Sequence, residues 1–254
     1  MAERTAAALA LESAGLVFPS RDFQVAVARI DERVDDLLPA EREALARAVP
    51  ARLAAYAAGR RCARLALRHL DAACGATAAR SEAPLLRDAQ GCPLWPAHAA
   101  GSISHSPSVA IAVTASRERA RAIGVDLEAL DRSIGAATLE RVFVDSERSW
   151  LAARPAADRR RLAYAIFAAR EAVYKCVYHA CGHALAPDEV ELRLDVPRRE
   201  FHAGWCGAAR DLDLPARLSG RFQFDALHVL AGVWCAPALN ACPRGEKRHD
   251  YSLA

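Results

Sequence analysis

Residues 39–75 carry apolar positions at helical spacing. Pro39 suits a first helical turn, with Glu41 and Glu43 favourable at the positive end of the helix dipole. Pro50 interrupts the pattern, which resumes from about Ala51 to Ala73 and stops at Gly75. Leu53, Tyr56, Ala63, Ala66, Leu67 and Leu70 supply its apolar face. Residues 76–101 lose any period at Pro84, Gly91, Pro93, Pro96 and Gly101, which predicts loop. Ser108–Ser116 and Ala122–Leu130 are β-type runs, and the polar residues 117–121 between them suit a hairpin-like turn. Residues 135–153 read as helix, followed by Pro155. A longer helix starts near Ala156 or Asp158 and ends near Ala180, before Gly182; Leu162, Ala165, Ile166, Ala169, Val173 and Val177 mark its apolar stripe. Glu189–Val196 alternates strictly, and with Leu218–Phe224 and Leu227–Trp234 it predicts antiparallel strands. The pattern is α+β, without a visible fixed-period repeat, and no linker composition marks a boundary.

Composition narrows the class. At 254 residues, 53% hydrophobic and 26% charged, the chain can bury a sizeable core and is not disordered, collagen-like or coiled-coil. The net charge of +3 is far from a nucleic-acid-binding signature. The basic residues are nearly all Arg; only Lys175 and Lys247 are lysines. The apolar run Ala6–Leu11, flanked by Glu3 and Glu12, is too short for a signal-peptide core, and no 18-residue apolar run suggests a membrane span. Eight scattered cysteines without a CxxC pair are expected to be reduced and mostly buried. These features predict a soluble cytoplasmic protein, expected to be a monomer.

Three groups of residues can carry chemistry. Asp126 and Glu128, two apart on a predicted strand, leave the same face. Glu171 stands one turn before Lys175 on the long helix. If that helix packs on that strand, three carboxylates meet beside one ammonium, an oxygen-only set that suits Mg²⁺. The alternative is the wet face of an edge strand and an ordinary i,i+4 pair. Arg52, Arg60, Arg64 and Arg68 share a helix face and match phosphate oxygens, or else form a solvated surface. Residues 101–106 look like a small-residue turn leading into a strand, where backbone N–H groups are accessible and His105 can donate to a phosphate. Cys176, His179, Cys181 and His183 are the only zinc-like cluster, but all lie within eight residues, whereas structural zinc wants separated ligand pairs. No GxSxG elbow, P-loop or GxGxxG fingerprint is present.

Taken in order, these pieces resemble one family. The residues are Arg60–Arg64 (RRCAR), Pro84–Arg87 (PLLR), Gly91–Pro96 (GCPLWP), Gly101–His105 (GSISH), Gly124–Glu128 (GVDLE) and Phe167–Lys175 (FAAREAVYK). They resemble the 4′-phosphopantetheinyl transferases, and within them the enterobactin-type branch that serves siderophore, nonribosomal peptide and polyketide synthases. The resemblance spans about residues 50–180 and implies two similar α+β subdomains related by a pseudo-twofold axis, divided as 1–120 and 121–254. It implies transfer of phosphopantetheine from coenzyme A to a serine of an acyl, peptidyl or aryl carrier protein, with release of 3′,5′-ADP. Mg²⁺, for which Mn²⁺ can substitute, would sit on Asp126, Glu128 and Glu171 and bind the coenzyme A pyrophosphate. Glu171 would take the serine proton and Lys175 would hold a phosphate oxygen. Arg60 and Arg68, with Arg52 or Arg64 less surely, would clamp the 3′-phosphate; Ser104, His105 and Arg87 complete the coenzyme A contacts. Departures from the family pattern are Gln90 in place of a second lysine, Arg170 where lysine is commoner, and Ala55 where an acid is frequent. Rival readings are another Mg²⁺-dependent phosphoryl or nucleotidyl transferase, and a non-catalytic coenzyme A or carrier-binding module.

Overall fold

A computed structural model describes residues 5–237 except 20, 32–33, 44, 46–47, 76–82 and 132–133. Cys242, Lys247 and the first part of the expected 76–101 loop lie outside the described residues.

Two antiparallel sheets, each backed by one long helix, make up the chain. The first contains β1 (Gln24–Arg29), β2 (Ala99–His105) and β3 (Val109–Ser116), in the order β1-β3-β2. The second contains β4 (Ala122–Ala129), β5 (Val190–Asp195), β6 (Glu200–Trp205), β7 (Arg217–Phe224) and β8 (His228–Cys235), in the order β4-β8-β7-β6-β5. Helix α1 (Ala6–Val17) precedes β1, α2 (Pro39–Glu43) and α3 (Pro50–Ala73) lie between β1 and β2, and between β4 and β5 lie α4 (Ala136–Val142), α5 (Asp145–Ala152) and α6 (Ala156–Cys181).

The long helices follow their sequence signals. Pro50 opens α3, where a missing N–H costs nothing. Gly182, at φ 75°, closes α6 in the left-handed conformation that glycine adopts without penalty. The short, early elements α1 and β1 and the strand β6 were not foreseen. Thr5 caps α1 by accepting from the Ala8 N–H at 3.3 Å. Phe18, at its end, meets Phe23, which in turn meets Trp234 of β8 at a centroid separation of 4.9 Å. One apolar cluster therefore joins α1, Ile111 and Val113 of β3, Val125 and Leu127 of β4, and Leu230 of β8.

Three expectations are corrected. Residues 117–121 do not make a hairpin: β3 pairs with β1 and β2, while β4 pairs with β8. The segment links two sheets because both hydrogen-bonding edges of β3 are already taken, by β1 on one side and β2 on the other. Residues 101–106 are not a turn leading into a strand; most of them are β2 itself, paired along its whole length with β3. The cysteines are free as expected, but of the seven described only Cys62, Cys176 and Cys235 are buried.

A repeated device, missed in the sequence, shapes both halves. Glu41 is buried at the start of α2, accepts from its own helix-start N–H (Leu38), and takes both oxygens to the Arg64 guanidinium of α3 at 2.8–2.9 Å. Glu147 does the same in α5 with the Val144 N–H and with Arg170 of α6, at 2.5–2.6 Å. In each case the acid and arginine are 23 residues apart. Each acid also accepts a distant backbone N–H, from Leu85 in the first half and Leu192 in the second. The two halves are thus built alike, though their sheets have three and five strands.

The sheets meet along β2 and β4 through serine side chains. Ser102 Oγ accepts from the Val125 N–H at 3.0 Å and Ser104 Oγ from the Leu127 N–H at 3.2 Å. On the opposite face of β4, α6 lies so close that a Cβ at Gly124 would collide with the Ala172 carbonyl. Gly124→Ala is expected to push α6 away from β4. Overpacking of this kind costs roughly 1–3 kcal/mol or more, so the melting temperature should fall by several degrees and activity should drop; a variant with unaltered melting and activity would refute this tight seat.

Candidate active site

Lys175 sits at the meeting point of α6 and β4. Its Nζ donates to the Val125 carbonyl at 3.0 Å and to Asp126 Oδ1 at 2.6 Å. Ser104 Oγ donates to the same Oδ1 at 2.8 Å. Asp126 is only 4% exposed, and its Oδ2 is buried without a hydrogen-bond partner among the described residues. Burial pushes the Glu128 carboxyl up to about 8, reinforced by the charge of Asp126 and opposed by Lys175. Burial and Asp126 likewise raise Glu171. The three acids therefore sense one another's charge around one ammonium. Among the described residues, though, no three His, Cys, Asp or Glu side chains are drawn together closely enough to hold a metal ion as they stand.

A cleft of about 250 Å³ opens beside Lys175, between α3, β2 and the 87–93 segment. Arg52, Tyr56, Arg60, Arg87 and His105 line it with Lys175. Arg60 is 3% exposed; its Nε donates to the Leu85 carbonyl at 2.7 Å and its guanidinium lies 4.1 Å over the Tyr56 ring. Burial lowers the Arg60 pKa from its ordinary value. Arg87 stacks on the same ring at 5.2 Å. Tyr178 of α6 donates to Asp88 Oδ2 at 2.8 Å, and Asp88 Oδ1 accepts the N–H groups of Gln90 and Cys92. This contact ties the Gln90 loop of the first half to the second. His179, also on the cleft wall, has its pKa lowered by burial, which outweighs the raising effect of Asp88.

The structure divides the arginine stripe. Arg52 and Arg60 reach the cleft; Arg64 is engaged with Glu41, and Arg68 lines a separate concavity with Asp36, Arg61 and Arg64. Eight residues of α-helix turn the side chain by roughly 80° beyond whole turns, so Arg52 and Arg68 cannot face one ligand. His105 lines the cleft from the end of β2, whereas the Ser104 hydroxyl is held between Asp126 and the Leu127 N–H. The zinc-like cluster disperses: Cys176 is buried, Cys181 is exposed and donates to the Val177 carbonyl, and His183 pairs with Glu189 at 2.9 Å. Sequence reasoning missed Glu41, Glu147, Ser102 and the Tyr178–Asp88 link. The Glu-Arg dipeptides at 41–42 and 147–148, each 23 residues before an arginine, were the available signal for the first two.

Comparison with known proteins agrees with this geometry. Residues 40–115 match the model of the 4′-phosphopantetheinyl transferase N-terminal domain, and residues 122–231 that of the 4′-phosphopantetheinyl transferase superfamily. The chain is 36% identical over 177 residues to the 4′-phosphopantetheinyl transferase Svp of Streptomyces mobaraensis, covering 68% of this chain and 67% of that protein. It is 30% identical to the transferase Npt of Nocardia iowensis (62% and 66% covered) and 29% identical to PptT of Mycobacterium tuberculosis (78% and 80% covered). The chain belongs to the 4′-phosphopantetheinyl transferase superfamily, whose members transfer phosphopantetheine from coenzyme A to carrier proteins. Among the described residues no helix is long and apolar enough to cross a membrane.

The raised Glu128 carboxyl has a consequence for stability. Its folded-state pKa of about 8 lies above the ordinary 4.5, so the folded protein binds a proton more tightly than the unfolded chain. That contribution is present below about 4.5 and is lost as pH rises toward 8. In EDTA, melting temperature should fall across this window, and Glu128→Gln should flatten the fall; equal slopes in the two proteins would contradict it.

Proposed function

We propose that this chain carries out Mg²⁺-dependent transfer of the 4′-phosphopantetheinyl group of coenzyme A to a carrier-protein serine, releasing 3′,5′-ADP. The observation that carries the reading is the position of Lys175. It lines the arginine-walled cleft and at the same time holds Asp126, so an anion seated among the arginines leads directly to the acids. Residues 1–120 would supply the nucleotide grip and 121–254 the acids. Arg52, Arg60, Arg87 and His105 would bind coenzyme A phosphates, with Arg68 in an outlying role at most, and Lys175 would hold a phosphate oxygen as a point charge.

The donor chemistry, three carboxylates, suits a hard divalent cation, although the three side chains do not yet form a ligand set as they stand. Asp126 Oδ2 is buried without a partner among the described residues, burial and the charge of Asp126 push the Glu128 carboxyl up to about 8, and the same two causes raise Glu171. Asp126, Glu128 and Glu171 would hold Mg²⁺, or Mn²⁺ in its place. When bound, the ion supplies charge neutralisation at the pyrophosphate. Glu171 is the candidate base: its raised pKa improves its reach for the serine proton, and it stands one turn from Lys175 on the same helix face. The serine oxygen forms the new bond to phosphorus as the bond to 3′,5′-ADP breaks, and the proton passes to Glu171 directly or through water. We place the chain in the branch serving siderophore, nonribosomal peptide and polyketide carriers, and we read it as a cytoplasmic monomer. The free state of the seven described cysteines supports a reducing compartment.

Mass spectrometry of several apo carrier proteins, incubated with the enzyme, coenzyme A and Mg²⁺, should show addition of one phosphopantetheinyl group, lost in EDTA. No gain on any carrier would overturn the reading. Glu171→Ala should reduce transfer by about 10²-fold or more with the melting profile preserved; full activity would remove Glu171 from its role. Arg60→Ala should raise the coenzyme A requirement more than it slows saturated turnover, and an unchanged coenzyme A titration would refute the clamp.

A further inference from the structure

Tyr56 lies one turn before Arg60 on α3, on the wall of the cleft. The sequence pattern assigns it to an apolar face, yet its hydroxyl is buried and has no hydrogen-bond partner among the described residues. Arg60 Nη2 is in the same condition, although the Arg60 Nε is satisfied by Leu85. Two guanidinium groups, Arg60 and Arg87, stack on the Tyr56 ring at 4.1 and 5.2 Å. A phenylalanine would give the same stacking surface without burying an unpaired hydroxyl, so packing alone does not account for a tyrosine here. Two adjacent cations with two idle donors on one side of a cleft form a cradle for a dianion, and a phosphate monoester supplies both the charge and the acceptors.

We propose that Tyr56 is a specificity-determining residue for the 3′-phosphate of coenzyme A: its hydroxyl donates to that phosphate together with Arg60 Nη2, while its ring holds the Arg60 and Arg87 planes toward the cleft. The inference rests on reading the cleft as the coenzyme A nucleotide site. It goes further by giving that site a selective feature, since 3′-dephospho-coenzyme A lacks the group that the phenol and guanidinium together recognise. The phenol is neutral and donates from a fixed ring, so it adds direction to a grip that the arginines supply as charge.

Tyr56→Phe keeps the ring and removes only the donor; Tyr56→Leu removes the stacking surface as well. Equilibrium titration of the full chain with 3′,5′-ADP and with 5′-ADP reads the contact without requiring turnover. Tyr56→Phe is expected to weaken 3′,5′-ADP about tenfold and 5′-ADP by less than twofold. In transfer assays the KM for coenzyme A should rise in parallel, several-fold more than that for 3′-dephospho-coenzyme A, with the change confined to KM. Tyr56→Leu should weaken 3′,5′-ADP further, and a preserved melting temperature in Tyr56→Phe excludes general damage. Equal losses for both nucleotides, or no loss for either, would overturn the proposal. A wild-type chain that modifies carriers but shows no effect of Tyr56→Phe refutes this inference alone. One that prefers 3′,5′-ADP through Tyr56 but modifies no carrier refutes the transfer reading alone.

Discussion

The contact of Lys175 with Asp126 and the Val125 carbonyl is the junction on which the rest depends. It joins the helix that bears Glu171 to the strand that bears the other two acids, and Ser104 brings the edge of the first sheet to the same carboxylate. A buried ion pair of this kind contributes little net stability, but removing one partner leaves an uncompensated charge at a cost of about 3–5 kcal/mol. Its value is positional. Gly124, with no side chain, lets α6 come close enough for the lysine to reach Asp126, and the serines of β2 replace a backbone ladder where two edge strands meet.

Around that junction, one clamp is used twice. A glutamate in the first turn of a short helix gathers its own helix-start N–H, a distant backbone N–H and an arginine fork from the long helix that follows. One guanidinium nitrogen of Arg170 meets both Glu147 oxygens while the other donates to the Pro187 and Val190 carbonyls, a spread of donors that a lysine ammonium lacks, which explains arginine at position 170. The clamp fixes the rotation of the long helix, and the next residue is set by it. That residue is Glu171 in α6 but the exposed Leu65 in α3. The same architecture therefore presents an acid beside Lys175 in one half. In the other, a turn earlier on α3, it presents Arg60 to the cleft.

The cleft joins these two chemistries without mixing them. Its first-half wall is cationic and braced on an aromatic ring, so that Arg60 and Arg87 can lie near each other despite like charge. Its second-half wall contributes one ammonium, behind which the negative charge lies. The Tyr178–Asp88 hydrogen bond holds the loop from one half against the helix of the other.

The sequence by itself determined the elements with strong periods or strong breakers. Pro50, Gly75 and Gly182 delimit the long helices, and alternation locates β5, β7 and β8. It also grouped residues that can carry chemistry, because Asp126 and Glu128 leave one face of a strand and Glu171 and Lys175 one face of a helix. Strand partners, by contrast, depend on which hydrogen-bonding edges are already taken, so the 117–121 link looked like a hairpin until β1 and β2 were seen to flank β3. Only the tertiary structure decided which arginines line the cleft, since helical drift carries Arg68 away and Glu41 captures Arg64. It alone turned the Ser104 hydroxyl toward Asp126 and left the Tyr56 hydroxyl and Arg60 Nη2 without partners among the described residues. Local pattern specifies what a residue can do; long-range packing specifies what remains for it to bind.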